Sequence, residues 1–238
     1  MLALLRIILI AIGFLVVNII VLAACIVRPF HRNNVHFAGQ MYSQISTILG
    51  IKIEIEVDEA VKKDEKYVYI ANHQNSYDIF TICRAAQPGV VTIGKKSLKW
   101  IPIFGQVYFL SGNIMIDRGN SGKAKNTLSV AARKIKEKGL SVWMFPEGTR
   151  SYGRGLLPFK SGAFRLALET DEPVVMVCAS DTHKKIQLNR WDNGTIYIRI
   201  CAPEKIDQSK TPREWSEYFH AKMQAELAKL NARENTKV

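Results

Sequence analysis

Residues 7–27 form an apolar run in which Asn18 is the single strongly polar side chain. Those 21 residues, as a helix, reach roughly 31 Å, the thickness of a bilayer's hydrocarbon core, so the run is expected to enter a membrane. Arg6 before it and Arg28 and Arg32 after it leave open whether the helix spans or lies in one leaflet. Helical periodicity continues over residues 35–51, with Ala38, Met41, Tyr42, Ile45, Ile48 and Leu49 on one face and Gln40, Ser43, Gln44 and Thr47 on the other. That pattern suits an interfacial helix or one packed on a domain, and its place directly after an apolar anchor favours the membrane. Residues 1–51 are read as a membrane anchor and 52–238 as one globular domain.

Beyond Lys52 short apolar runs alternate with amphipathic ones. Strands are expected over 67–71, 90–93, 113–116, 141–145, 174–179 and 195–200. Helices are expected over 76–86, 123–138, 163–169 and 212–230, with Gly139 stopping the second of these. The last carries Trp215, Phe219, Met223 and Leu227 on one face. Such alternation predicts an α/β fold with a mainly parallel central sheet flanked by helices, preceded by the membrane-anchoring segment.

Composition narrows the partners. Lysine and arginine outnumber aspartate and glutamate 33 to 21, and the net charge of +12 suits nucleic acid, an anionic membrane or a phosphorylated substrate. Cys25, Cys83, Cys178 and Cys201 make no C-x-x-C pair, which suggests neither a zinc site nor a disulfide framework and agrees with a reducing compartment. Leu22-Ala23-Ala24-Cys25 resembles a lipoprotein cleavage box, yet the chain after Cys25 enters another amphipathic segment instead of a polar tether.

Candidate chemistry collects where strands end. In Asn72-His73-Gln74-Asn75-Ser76-Tyr77-Asp78, a histidine and an aspartate lie five apart after a strand. Within one helix they would point about 140° apart, so contact requires His73 on a loop and Asp78 in a first turn capped by Asn75 or Ser76. The carboxylate could then fix the imidazole tautomer and leave the other nitrogen as a base; the other reading is a capping box beside an incidental histidine. Phe145-Pro146-Glu147-Gly148-Thr149-Arg150-Ser151 closes a second strand, with Glu147 as an acceptor and Arg150 as a phosphate fork. Ile116-Asp117-Arg118 closes a third, and Lys95 and Lys96 follow a fourth.

Together these blocks resemble the bacterial 1-acylglycerol-3-phosphate acyltransferases of the glycerolipid acyltransferase superfamily. The resemblance rests on His73-x-x-x-x-Asp78, on Gly112 to Arg118, on Phe145 to Ser151 and on Pro173 before a buried strand. It implies that His73 deprotonates the acceptor hydroxyl and Asp78 orients it. It implies too that Arg118, Glu147, Gly148, Thr149 and Arg150, assisted by Lys96 and Lys95, hold the glycerol phosphate. The implied substrates are a lysophospholipid and acyl-CoA or acyl-carrier-protein, with no cofactor and no metal, and phosphatidate as product at the cytoplasmic face of the inner membrane. Met176 departs from the family pattern, which often has a second proline there, and this could alter the acyl or acceptor pocket.

The residues agree with this chemistry. A thioester is already activated, so a bound hydroxyl needs only a base and placement. No G-x-S-x-G elbow is present, and Ser161 lacks that context. A metal hydrolase using His73, Asp78 and Glu147 lacks a second nearby histidine. The closest rival is acylation of another lysophospholipid or of a lipid-linked amino acid. Nucleic-acid binding has the charge alone behind it and is not expected.

Overall fold

The computed structural model describes residues 1–116 and 121–235 and is organised around a seven-stranded sheet. In chain order the elements are α1 (Leu2–Val27), α2 (Asn34–Ser43), α3 (Ile45–Ile48), β1 (Lys52–Val57), β2 (Val68–Ala71), β3 (Val90–Lys95), α4 (Phe104–Leu110) and β4 (Ile114–Ile116). Then follow α5 (Ser121–Lys138), β5 (Ser141–Met144), α6 (Gly162–Thr170), β6 (Val174–Ala179), β7 (Thr195–Ile200) and α7 (Pro212–Asn235).

Across the sheet the order is β1-β7-β6-β2-β5-β3-β4. Every neighbouring pair runs parallel except β6 with β7. The expected α/β architecture is present, with the sheet mixed at that one pairing. β2 and β6 are buried along their whole length, as continuous apolar strands covered on both faces should be. Because β2, β5, β3 and β4 are parallel, their carboxyl ends share one edge of the sheet, where open α/β folds bind ligands. His73, Phe145 and Lys95 stand at that edge.

Two elements were not foreseen. β1 alternates Lys-Ile-Glu-Ile-Glu-Val at the sheet's edge, and α4 starts after Ile103, a β-branched residue held at φ +63°. The helix expected over 76–86 is instead two short 310 turns, Ser76–Ile79 and Ile82–Ala85. Local side chains compete with the helical ladder there: Asn75 Oδ1 caps Tyr77 N–H at 2.8 Å and Thr81 Oγ1 donates to the Tyr77 carbonyl at 3.1 Å.

In the N-terminal segment the amphipathic stretch packs on protein. Residues 35–51 break at Gln44 into α2 and α3, and Ala38, Tyr42, Ile45 and Leu49 are buried against the domain. The apolar face expected in the bilayer thus belongs to the protein core; periodicity identifies a face that must be covered and says nothing of what covers it. α1 is apolar on all sides, and only one side is packed, through Val17, Val21 and Cys25. Its two polar residues lie on that packed side. Asn18 accepts from Tyr42 Oη at 2.9 Å, and Arg6 donates to the carbonyls of Gln187, Leu188, Arg190 and Trp191. Cys25, 3.5 Å from Ser111 Oγ, is sealed inside this packing within an unbroken helix.

Residues 1–51 therefore share one hydrophobic core with the rest of the chain. Each buried valine, leucine or isoleucine contributes about 1.5–3 kcal/mol, so losing Val17, Val21, Val35, Ile45 and Leu49 removes about as much as a typical net stability of ~5–15 kcal/mol. A chain starting at residue 52 is expected to be insoluble or unfolded when its circular dichroism and solubility are measured. A folded, soluble and active fragment would contradict this packing.

Candidate active site

The site is assembled by cross-bracing two loops. Asn72 and Gln74, on either side of His73, turn their amides the same way and bind the end of β6 and the segment after it. Asn72 exchanges two hydrogen bonds with the Ala179 backbone, both at 2.9 Å. Gln74 donates to the carbonyls of Ala179 and Ser180 and accepts from both N–H and Oγ1 of Thr182. On the other side, the His73 and Gln74 carbonyls each accept a backbone N–H, from Ser151 and Tyr152, at 2.8 Å. Residues 72–75 are held from both sides.

Between these braces His73 is pointed away from the amides. Its Nδ1 donates to Asp78 Oδ2 at 2.6 Å, and its ring stacks on Phe145 with centroids 4.1 Å apart and an interplanar angle of 18°. The same Asp78 oxygen accepts the N–H groups of Gln74 at 2.8 Å and Asn75 at 3.3 Å. The sequence offered a His–Asp pairing or a capping box, and one carboxylate makes both contacts. Asp78 cannot rotate without losing three donors, so the imidazole tautomer is fixed with Nε2 as the basic nitrogen. Among the described residues Nε2 has no hydrogen-bond partner.

Glu147, 3% exposed, departs from the expected phosphate-side role. Its Oε1 accepts the His73 N–H at 2.6 Å and its Oε2 the Leu157 N–H at 3.0 Å. Burial pushes its carboxyl up from the usual range, opposed by those two N–H bonds. Both oxygens of this carboxylate are thus occupied by backbone N–H groups, one of them that of His73. Glu147→Gln places an amide donor against one of these N–H groups and is expected to cost about 1–3 kcal/mol of stability, with turnover down roughly 10- to 100-fold. Thermal unfolding and kcat check this. An unchanged melting temperature with a loss confined to acceptor KM would return Glu147 to the ligand.

Arg150 points into the same cavity as His73. Its Nη1 donates to Ser76 Oγ at 3.3 Å and Tyr152 Oη at 3.2 Å, and the guanidinium holds the Tyr152 hydroxyl below its usual range. The cavity walls are mostly apolar: Val35, Ala38 and Tyr42 of α2, Ile79 and Ile82, Phe104 and Val107 of α4, and Trp143. Cys83 also faces it, but burial pushes its thiol far up and Sγ donates to the Ile79 carbonyl at 2.8 Å, so it is no thiolate nucleophile. Base, arginine and apolar walls in one cavity fit an amphiphile with an anionic head.

A family model described as "Acyltransferase" matches residues 52–180. The 1-acyl-sn-glycerol-3-phosphate acyltransferase of Haemophilus influenzae is 42% identical over 233 residues, 97% of each chain. The Escherichia coli protein of that name is 41% identical over 209 residues, 87% of this chain and 85% of its own. The chain belongs to this acyltransferase family. A crystal structure of the 1-acyl-sn-glycerophosphate acyltransferase of Thermotoga maritima shares the fold, with a TM-score of 0.75 over 98% of this chain and 100% of that one at 22% identity.

Of the residues matching the acyltransferase motifs, the structure brings His73, Asp78 and Arg150 together on the cavity. Gly148, at φ +71°, makes the turn after β5, and an added Cβ would sit 2.8 Å from Lys160 Nζ. Thr149, Lys95 and Lys96 are exposed at the same edge and outside the cavity lining. Arg118 lies outside the described residues. Met176 is 4% exposed in β6, beside Ile70, and does not line the cavity. Sequence reasoning missed the Asn72 and Gln74 braces, Ser76 and Tyr152 beside Arg150, and Lys160 over the turn. The alternation of side chains along residues 72–75, amides one way and His73 the other, was the signal available.

Proposed function

We propose that this acyltransferase moves a fatty acyl group from acyl-CoA or acyl-carrier-protein to the sn-2 hydroxyl of 1-acylglycerol 3-phosphate, forming phosphatidate. The observation that carries this is the single cavity shared by the His73–Asp78 pair, Arg150 and apolar walls. Nε2 of His73 takes the proton as the hydroxyl oxygen attacks the thioester carbonyl. The tetrahedral adduct collapses, the C–S bond breaks, and the departing thiolate takes the proton back from the imidazolium. Arg150, with Arg118 by family resemblance, meets the phosphate through charge-assisted hydrogen bonds. This chemistry requires no metal: Nδ1 of His73 is engaged by Asp78, and Glu147 binds backbone.

Direct attack is favoured because, among the described residues of the cavity, no serine or cysteine is set up as a nucleophile. Steady-state patterns with both substrates varied should intersect, with no acyl group left on the protein. Parallel lines with a trapped acyl-enzyme would refute the mechanism.

For the setting we propose one leaflet of an anionic membrane, the inner membrane's cytoplasmic face; α1 supports the contact with lipid. Near its start, Ala3 N–H binds Asn189 and Arg6 holds the 187–191 loop; beyond its end, Phe30 N–H binds the Leu110 carbonyl. A helix fastened at both ends to one domain cannot cross a bilayer without drawing that domain in. Its unpacked side, from Leu5, Ile8 and Ile12 to Leu15, Ile19 and Ile26, is exposed and apolar. Tags at both termini should be accessible from the same, cytoplasmic, side. Tags on opposite sides would require a spanning helix.

A further inference from the structure

α1 is not the only place where large apolar side chains stand in solvent. From the last residue of β3 the chain runs Lys95-Lys96-Ser97-Leu98-Lys99-Trp100-Ile101-Pro102-Ile103, and Trp100 is 76% and Ile101 44% exposed. The turn that presents them is fixed. Ile101 N–H donates to the Leu98 carbonyl at 3.1 Å, and Gly105 N–H donates to the Ile101 carbonyl at 2.7 Å. Gly105 sits so close beneath this turn that a Cβ would lie 2.4 Å from the Lys99 carbonyl oxygen. With Ile103 at positive φ, the backbone keeps Trp100 and Ile101 outward at the cost of local strain.

Two observations identify what covers them. The first is continuity: the turn packs on α4, α4 packs on α1, and between them Phe109 and Phe30, both half exposed, meet edge to face at 5.3 Å. The second is charge. Lys95 and Lys96 are exposed, and Lys99 Nζ lies 4.4 Å from the centre of the Trp100 ring. An indole flanked by lysines is the composition that settles at the headgroup boundary of an anionic bilayer, with the ring among the upper acyl carbons and the amines at the phosphates.

We propose that the Trp100–Ile101 turn is a second membrane-inserting element, seated in the same anionic leaflet as α1. This inference rests on the proposed lipid contact of α1 and adds to it a rigid wedge at the sheet edge that bears His73. The enzyme would then grip the bilayer at two elements, which fixes its tilt as well as its depth.

Intrinsic fluorescence of the full chain tests this with vesicles of phosphatidylethanolamine and phosphatidylglycerol, a fraction of whose phospholipids carry brominated acyl chains. The emission that Trp100→Phe removes should be quenched by the brominated vesicles. Lys99→Glu should weaken binding to these vesicles by about fivefold or more, the effect of roughly one basic residue at an anionic surface, while leaving binding to phosphatidylcholine vesicles unchanged. A Trp100→Ser, Ile101→Ser double variant should partition more weakly yet turn over detergent-dispersed substrate within about twofold of wild type. If wild-type protein binds the vesicles and the Trp100 emission stays unquenched, the wedge is wrong and the α1 contact stands. Failure of the wild type to bind at all overturns both. Trp100 emission that changes with protein concentration in detergent, and not with lipid, would assign the turn to a contact between copies and overturn the proposal.

Discussion

His73→Ala should lower turnover by roughly 10²- to 10⁴-fold while the fold survives, because it removes the base of the proposed mechanism, for which no substitute stands in the cavity among the described residues. The backbone of residue 73 would still bond to Glu147 and Ser151, and the neighbouring amides would still brace the loop. Loss of activity would thus report chemistry and not unfolding, and near-normal circular dichroism should accompany it. Asp78→Asn is expected to be damaging for a different reason. One oxygen of Asp78 receives the His73 ring and two backbone N–H groups; an amide oxygen in its place can accept from all three but carries no charge, so each bond weakens and the imidazolium loses its counter-charge. It should lower both stability and turnover, whereas His73→Ala lowers turnover alone. Near-normal turnover in folded His73→Ala protein would remove the histidine from the mechanism.

Arg150 carries the second large effect. A charge-assisted hydrogen bond is worth about 1.5–3 kcal/mol net, or roughly 10- to 150-fold in kcat/KM. A phosphate monoester can accept fully from the Arg150 fork, whereas one esterified to ethanolamine has a single ionised oxygen and more bulk. Wild-type enzyme should therefore prefer 1-acylglycerol 3-phosphate, and Arg150→Ala should narrow that preference, while His73→Ala slows both acceptors alike. Ser76 and Tyr152 also contact the guanidinium, so Tyr152→Phe should produce a smaller change of the same kind. An unchanged acceptor ratio in Arg150→Ala would mean that Arg150 only fastens its own loop.

Much of the fold could be read from pattern alone. β6 and β7 match their expected bounds because buried strands between turns show up as bounded apolar runs. β1 carried period-two alternation that an edge strand allows, and its charged positions disguised it. The 76–86 segment misled because its helical periodicity competes with Asn75, Asp78 and Thr81, whose side chains bind nearby backbone. In the anchor, Arg6 read as a charge flanking the apolar run and Asn18 as the one strongly polar residue within it, and both attach the helix to the domain.

The site was legible in part for a similar reason. The His73–Asp78 pairing follows from spacing plus a capped turn, which local geometry enforces. Glu147 could not be assigned from its type, since a carboxylate suits a ligand or two backbone N–H groups equally well; only the fold shows that His73 and Leu157 claim it. Lys95 and Lys96 were assigned to the phosphate by the family resemblance; they stand exposed at the edge that bears His73 and outside the cavity lining, a placement that strand ends alone do not give.

The most direct test gives purified enzyme in anionic vesicles 1-acylglycerol 3-phosphate and an acyl thioester, with free thiol and phosphatidate both quantified. Thiol should appear one-for-one with phosphatidate, depend on the acceptor, and fall with His73→Ala. Thiol released without phosphatidate, or at the same rate without acceptor, would contradict acyl transfer to this lipid.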